Sequence, residues 1–220
     1  MGLSQIRQVE RDALCSTLHE VGADAPTLCS AWSAIDVAAH LVVSEAYGGW
    51  PMVAAYRLRR FLPPAVTRTG MRSLQSVGDR QMRRARARGW DWLLGRLAGG
   101  PPAAYERQGV ASVRWIEEWI HHEDVRRANG VGVRVGSAEI DEALWDAGLV
   151  LTGFPEFLPG REGLELATTA GRAHRLGATS KVRIEGRPGE ILLFLAGRAS
   201  AAEVEVTGDQ AYLARLDLAV

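Results

Sequence analysis

The apolar residues of this 220-residue chain change their period once, at Asn129-Gly130, and that change limits what the chain can fold into. Before it, apolar positions recur at helical spacing; after it, short stretches alternate in the manner of strands. The expected fold class is α+β, with a helical part over residues 1–132 and a small mixed α+β domain over 133–220. The boundary falls within 130–138.

Four helices are expected in the first part. Leu3 to His19 carries Leu3, Ile6, Val9, Leu14 and Leu18 close to one stripe, and Gly22-Ala23-Asp24-Ala25-Pro26-Thr27 reads as a turn. Ser33 begins a second helix, with Asp36 three residues on in a capping-box arrangement; it carries Ile35, Val37, Ala38, Leu41 and Val42 inward past His40. A third helix is expected over about Met71 to Leu97, bounded by Gly99-Gly100-Pro101-Pro102, with Arg83 to Arg88 as a solvated face. The fourth spans Ala111 to Ala128 and stops at Asn129-Gly130. Two long connections between such helices suggest an up-down bundle.

In the second part, Ile140 to Leu151 reads as helix, and 164–169, 181–186 and 203–208 as strands. Residues 190–195 fit either state, and 210–216 fit a short closing helix.

Composition narrows the partners. Twenty-six basic residues, all but Lys181 arginine, balance twenty-six acidic ones, so no net field recruits nucleic acid or an anionic membrane. The first eleven residues are charged at once, and no apolar run approaches the roughly 20 residues of a membrane span. A cytoplasmic protein is expected, with Cys15 and Cys29 as reduced structural thiols.

Chemistry concentrates in the fourth helix. Residues 116–127 hold two of the five histidines and four carboxylates. Positions four apart lie one above the other on a helix, so Glu117 pairs with His121 and Glu118 with His122. Either pair offers two metal ligands from one rigid element, and His40 is a third from another helix. Catalytic zinc commonly takes three such ligands and keeps one position open. The plain alternative is also consistent: a histidine in an apolar helix is often a hydrogen-bonded core residue, and a Glu–His pair often a helix-surface contact. Asp124 could orient a ligand imidazole or pair with Arg126 or Arg127. Trp32, Trp115 and Trp119 read as packing residues, and His19 and His174 as surface ones.

Ala25-Pro26-Thr27-Leu28-Cys29-x-x-Trp32, followed by Asp36-x-Ala38-Ala39-His40-Leu41-Val42-Val43, resembles the N-terminal motif of the mycothiol-dependent maleylpyruvate isomerase-like proteins, which belong to the DinB-like metal-binding four-helix bundles. Glu117-x-x-x-His121-His122-Glu123-Asp124-Val125-Arg126-Arg127-Ala128 resembles their second motif, in the form of a subgroup known only as metal-binding. Gly186-x-x-Gly189-Glu190-Ile191-Leu192-Leu193-Phe194-x-x-Gly197-Arg198, then Val204-x-Val206-x-Gly208-Asp209, is similar to that subgroup's C-terminal domain. By position, the resemblance implies metal ligands at His40, Glu117 and His121, with His122 in another role. Ser44 stands where the family commonly carries Arg, and Arg114 where it carries Asn, departures that touch substrate contacts or the surroundings of the metal.

The resemblance further implies a divalent metal, zinc, and mycothiol as thiol cosubstrate, with a small electrophilic substrate in an isomerase or transferase. Asp124 would orient a ligand, and Arg198, Arg126 or Arg127 would meet cofactor or substrate carboxylates. Catalytic residues are not assigned. A second hypothesis is a non-catalytic metal- or ligand-binding protein whose C-terminal domain, similar to sterol-carrier-type domains, supplies an apolar groove. A third, metal-activated hydrolysis, needs Glu118 or His122 as base, and helix geometry points both away from the Glu117–His121 face.

Overall fold

A computed structural model describes residues 2–29, 31–47, 76–100, 111–134, 136–152 and 163–215. It divides into two compact units, one spanning Ser4–Val131 and the other Met1–Leu3 with Gly132–Val220. Among the described residues there are eight helical stretches and one four-stranded sheet. No described helix is long and apolar enough to cross a membrane.

The first unit contains α1 (Leu3–Val21), α2 (Ala34–Tyr47), α3 (residues 76–86), α4 (Trp90–Ala98) and α5 (Ala111–Ala128). The single third helix expected from the sequence is two, α3 and α4. Gly89 separates them, with φ at 89°, a left-handed setting that glycine adopts without a Cβ penalty. Apolar periodicity runs on across this break, which is why it was invisible to pattern alone; residues 71–75 lie outside the described ones. Arg83, Arg84, Arg86 and Arg88 are exposed, as a solvated face requires.

The core of this unit joins Leu14 and Leu18 of α1, Val37, Ala38, Leu41 and Val42 of α2, Leu93 and Leu97 of α4, and Val125 of α5. Each large aliphatic chain buried this way stabilises by roughly 1.5–3 kcal/mol. Val9, expected inward, is 53% exposed; the buried stripe of α1 instead runs Ile6, Glu10, Leu14, Leu18 at four-residue spacing. α2 starts as expected at Ser33, whose amide and hydroxyl both donate to Asp36 Oδ2 (3.1 and 2.9 Å). α5 ends at Gly130 (φ 76°), where the Val131 amide reaches back to the Arg126 carbonyl at 3.0 Å and closes a Schellman turn.

In the second unit the sheet runs β2-β1-β3-β4, from β1 (Leu164–Thr168), β2 (Ala173–Leu176), β3 (Val182–Gly186) and β4 (Val204–Gly208). β1 and β3 are parallel; the outer pairings are antiparallel. β2 was not anticipated, being four residues with an exposed alternate face. The ambiguous 190–195 stretch is helical, within α7 (Pro188–Leu195), with proline in the first turn where its missing amide hydrogen costs nothing. Leu164, Leu166, Val182 and Ile184 meet Trp145 of α6 (Ala138–Thr152), Ile191 and Phe194 of α7, and Tyr212 of α8 (Gln210–Leu213). Gly208 is required in its place: a Cβ there would stand 2.2 Å from the Lys181 carbonyl oxygen, at φ +110°.

Candidate metal centre

α5 is unusual for a helix so rich in charge. From Arg114 to Val125 every residue but Glu117 and Ile120 is buried, and those two are partly exposed. Buried polar groups must find partners, so each charged residue on this helix is committed by what its neighbours present.

One face carries Glu117 and His121 toward α2. His40 Nε2 lies 2.8 Å from Glu117 Oε1, and the His40 and His121 rings stand edge-on with centroids 4.9 Å apart. Donor atoms of His40, Glu117 and His121 lie within 4.8 Å of one another. Two donors on one tetrahedral zinc stand roughly 3.3 Å apart, so this set needs only small side-chain adjustment to share an ion. Two imidazole nitrogens and one carboxylate oxygen are also a donor set that zinc accepts. The site opens outward, with the His40 and Glu117 side chains 26% and 28% exposed.

His121 is oriented from behind. Its Nδ1 donates to Asp124 Oδ2 at 2.9 Å, which leaves the lone pair on Nε2. Burial holds the His121 pKa below its usual value, so the ring is neutral at neutral pH, the form that binds a metal. Asp124 is fully buried and its Oδ2 also accepts from the Cys29 thiol at 3.2 Å. The donors of Cys29, His121 and Asp124 form a second close set. Since Asp124 already bonds the His121 Nδ1 hydrogen, this set reads as the support of the first.

Burial alone would raise the Glu117 pKa. The hydrogen bond and charge of His40, with Arg114 and His121 nearby, outweigh it and bring the pKa down to about 2.

The loop before α2 completes the site, and pattern reading did not foresee its role. Thr27 Oγ1 accepts from the Cys29 amide (3.1 Å) and donates to the Trp32 carbonyl (2.8 Å), folding the loop on itself. The Leu28 amide then bonds the Asp124 carbonyl at 3.1 Å, docking the loop on α5. This turns the Trp32 ring onto both imidazoles, 5.0 Å from His40 and stacked 5.8 Å from His121. Trp32 therefore lines the site as well as packing against the core, and Trp115 and Trp119 are buried. Cys29 likewise touches the site rather than only filling space. The Thr-x-Cys-x-x-Trp spacing was the available signal.

The opposite face of α5 carries Glu118 and His122 toward α1. His122 Nδ1 donates to Glu10 (2.7 Å) and its Nε2 shares a hydrogen bond with Thr17 Oγ1 (2.9 Å), with the ring 1% exposed. Glu118 and the fully buried Glu45 both pair with Arg11. Burial pushes the Glu118 pKa up to about 7 in spite of Arg11. Neither Glu118 nor His122 is available to the His40 face as a base.

Arg127 Nε donates to Glu123 Oε2 at 2.7 Å and Arg126 lies 3.6 Å from Glu123 Oε1, so both serve a buried carboxylate. Arg198 lies in the second unit just after α7, where its Nη1 donates to the Ala196 carbonyl at 2.5 Å. In that unit Leu144, Trp145, Leu166, Ile191 and Leu192 line an apolar hollow of about 20 Å³. That is room for about one water.

No protein-family model matches the chain, and no curated protein matches it. Two solved structures share its fold. The crystal structure of the mycothiol-dependent maleylpyruvate isomerase aligns over 95% of both chains with a TM-score of 0.53 at 15% identity. A histidine-to-alanine mutant of that isomerase aligns over the same shares with a TM-score of 0.52 at 14% identity.

Proposed function

We propose, from that shared fold and the His40–Glu117–His121 geometry, that the protein is a zinc-dependent enzyme that uses a small thiol, mycothiol, to isomerise or conjugate a small electrophilic substrate. The observation that carries the reading is the convergence of two imidazoles and a carboxylate from α2 and α5 at a partly exposed position. Zinc bound there would lower the pKa of a thiol at its open position, from about 8.5 in the free thiol, and so supply thiolate at neutral pH.

The chain's own residues prepare that chemistry. His40 and His121 offer imidazole nitrogens and Glu117 adds one negative charge, a set that with a divalent ion would leave a net positive centre to attract an anionic sulfur. Asp124 fixes which His121 nitrogen faces the site. Trp32 lays an apolar wall across both rings, which limits water on that side. The exposed edges of His40 and Glu117 give solvent access to the site, and a proton released by a bound thiol would leave on that side.

The test is elemental analysis of purified protein and of His121→Ala, followed by calorimetric titration with mycothiol. Near-stoichiometric zinc in the wild type, its loss in the variant and metal-dependent thiol binding are expected. Equal zinc in both proteins would remove the site assignment. Zinc retained with no thiol binding would leave a metal-binding protein without the proposed activity.

A further inference from the structure

The two oxygens of Glu117 are held differently. Oε1 faces His40 Nε2 at 2.8 Å, and Oε2 accepts a hydrogen bond from Ser44 Oγ at 2.7 Å. Ser44 stands one helical turn after His40 on α2, so the helix that delivers one ligand also clamps another. Arg114, 3% exposed, sits one turn before Glu117 on α5, and its Nη1 lies 3.2 Å from Ser44 Oγ.

The direction of these bonds is forced. Arginine only donates, so Ser44 Oγ accepts from Arg114 and directs its single hydrogen at Glu117. The guanidinium is itself held in place, with Nη2 4.0 Å from buried Glu45, which pairs with Arg11. A hydrogen bond to an ionised carboxylate is shorter and stronger than a neutral one, and here it occupies the oxygen that two-oxygen ligation would need.

We infer that Ser44, oriented by Arg114, is a positioning residue that restricts Glu117 to one-oxygen ligation and thereby keeps a coordination position open for an incoming ligand. The inference rests on the metal-site reading above. Two histidines and a one-oxygen carboxylate leave a tetrahedral ion one position short, whereas a two-oxygen carboxylate fills it.

The test uses cobalt(II) as a visible probe in the chelator-stripped full chain, with 2-mercaptoethanol added afterwards. The wild type is expected to bind one cobalt per chain, with the intense visible bands of a four-coordinate ion and a new sulfur-to-cobalt absorption when the thiol is added. Ser44→Ala is expected to keep its cobalt and its four-coordinate bands while the sulfur-to-cobalt absorption falls about two-fold, as Glu117 Oε2 takes the position the thiol would fill. Ser44→Thr, which restores the hydroxyl, is expected to restore the thiol response. An unchanged thiol response in Ser44→Ala would overturn the inference and leave the metal site standing, as would outright loss of cobalt from that variant. A wild type that binds no cobalt would overturn the metal-site reading itself.

Discussion

Glu117–His121 and Glu118–His122 are the same motif, a glutamate followed four residues later by a histidine, one position apart on the same helix. Their surroundings make them opposites. The first pair meets His40 from α2 and keeps about a quarter of the His40 and Glu117 side chains exposed. The second meets Arg11, Glu10 and Thr17 from α1 and is sealed. The pKa directions follow: Glu117 is drawn down to about 2 by histidine and arginine, and Glu118 is pushed up to about 7 by burial. Helical spacing creates the bidentate possibility, and the neighbouring helix decides whether it becomes a site or a staple.

The strongest blow to the sealed face is Arg11→Ala. It leaves Glu45 and Glu118 buried without their shared cation, at a cost of about 3–5 kcal/mol. A urea titration should show that loss, while Glu117→Ala, on the open face, should abolish metal binding with a far smaller change in midpoint.

Glu118 also sets a pH signature. Its folded pKa is raised above the ordinary 4.5, so the stability it contributes is full below pH 4.5 and is lost as pH rises through about 7. The swing is on the order of 3 kcal/mol. His121, with its folded pKa depressed, acts in the other direction, losing stability as pH falls below 6.5. Comparing metal-free wild type with Glu118→Gln cancels that shared part. The difference in unfolding free energy between pH 4.5 and 7.5 should show wild type declining relative to the variant; parallel curves would mean that folding leaves the Glu118 pKa unshifted.

On the open face, Asp124→Asn should weaken metal binding by about 10–100-fold, since the amide no longer fixes the His121 nitrogen that faces the site. A competition titration against a chromophoric chelator measures this, and an unchanged affinity would show that His121 is held by packing alone. The smallest effect belongs to the start of α2. Asp36→Ala removes the acceptor of the Ser33 amide and hydroxyl and should cost about 1 kcal/mol with metal binding intact. A change in metal affinity there would show that His40 depends on the helix start.

How much of this was legible in the sequence follows the same division. Helix periods located α2 and α5, and i,i+4 geometry with the family-like motifs singled out His40, Glu117 and His121. What α1 presents to α5 was harder to read, because no spacing rule says which helices are neighbours. One trace existed: Glu10 falls on the four-residue line of Ile6, Leu14 and Leu18, a charge on a buried stripe that needs a partner. The loop carrying Cys29 and Trp32 was opaque for a different reason. Its shape comes from Thr27 hydrogen bonds and one backbone bond to Asp124, contacts that leave no periodic mark. Gly89 hid its break for the converse reason, an apolar pattern that continues across it.

The most direct test of the central claim compares zinc per chain in wild type, His40→Ala and His122→Gln, each stripped, reloaded and dialysed, with folding checked by circular dichroism. One ion per chain in wild type and His122→Gln, and little in His40→Ala, is the predicted result. A full ion retained by folded His40→Ala would contradict it.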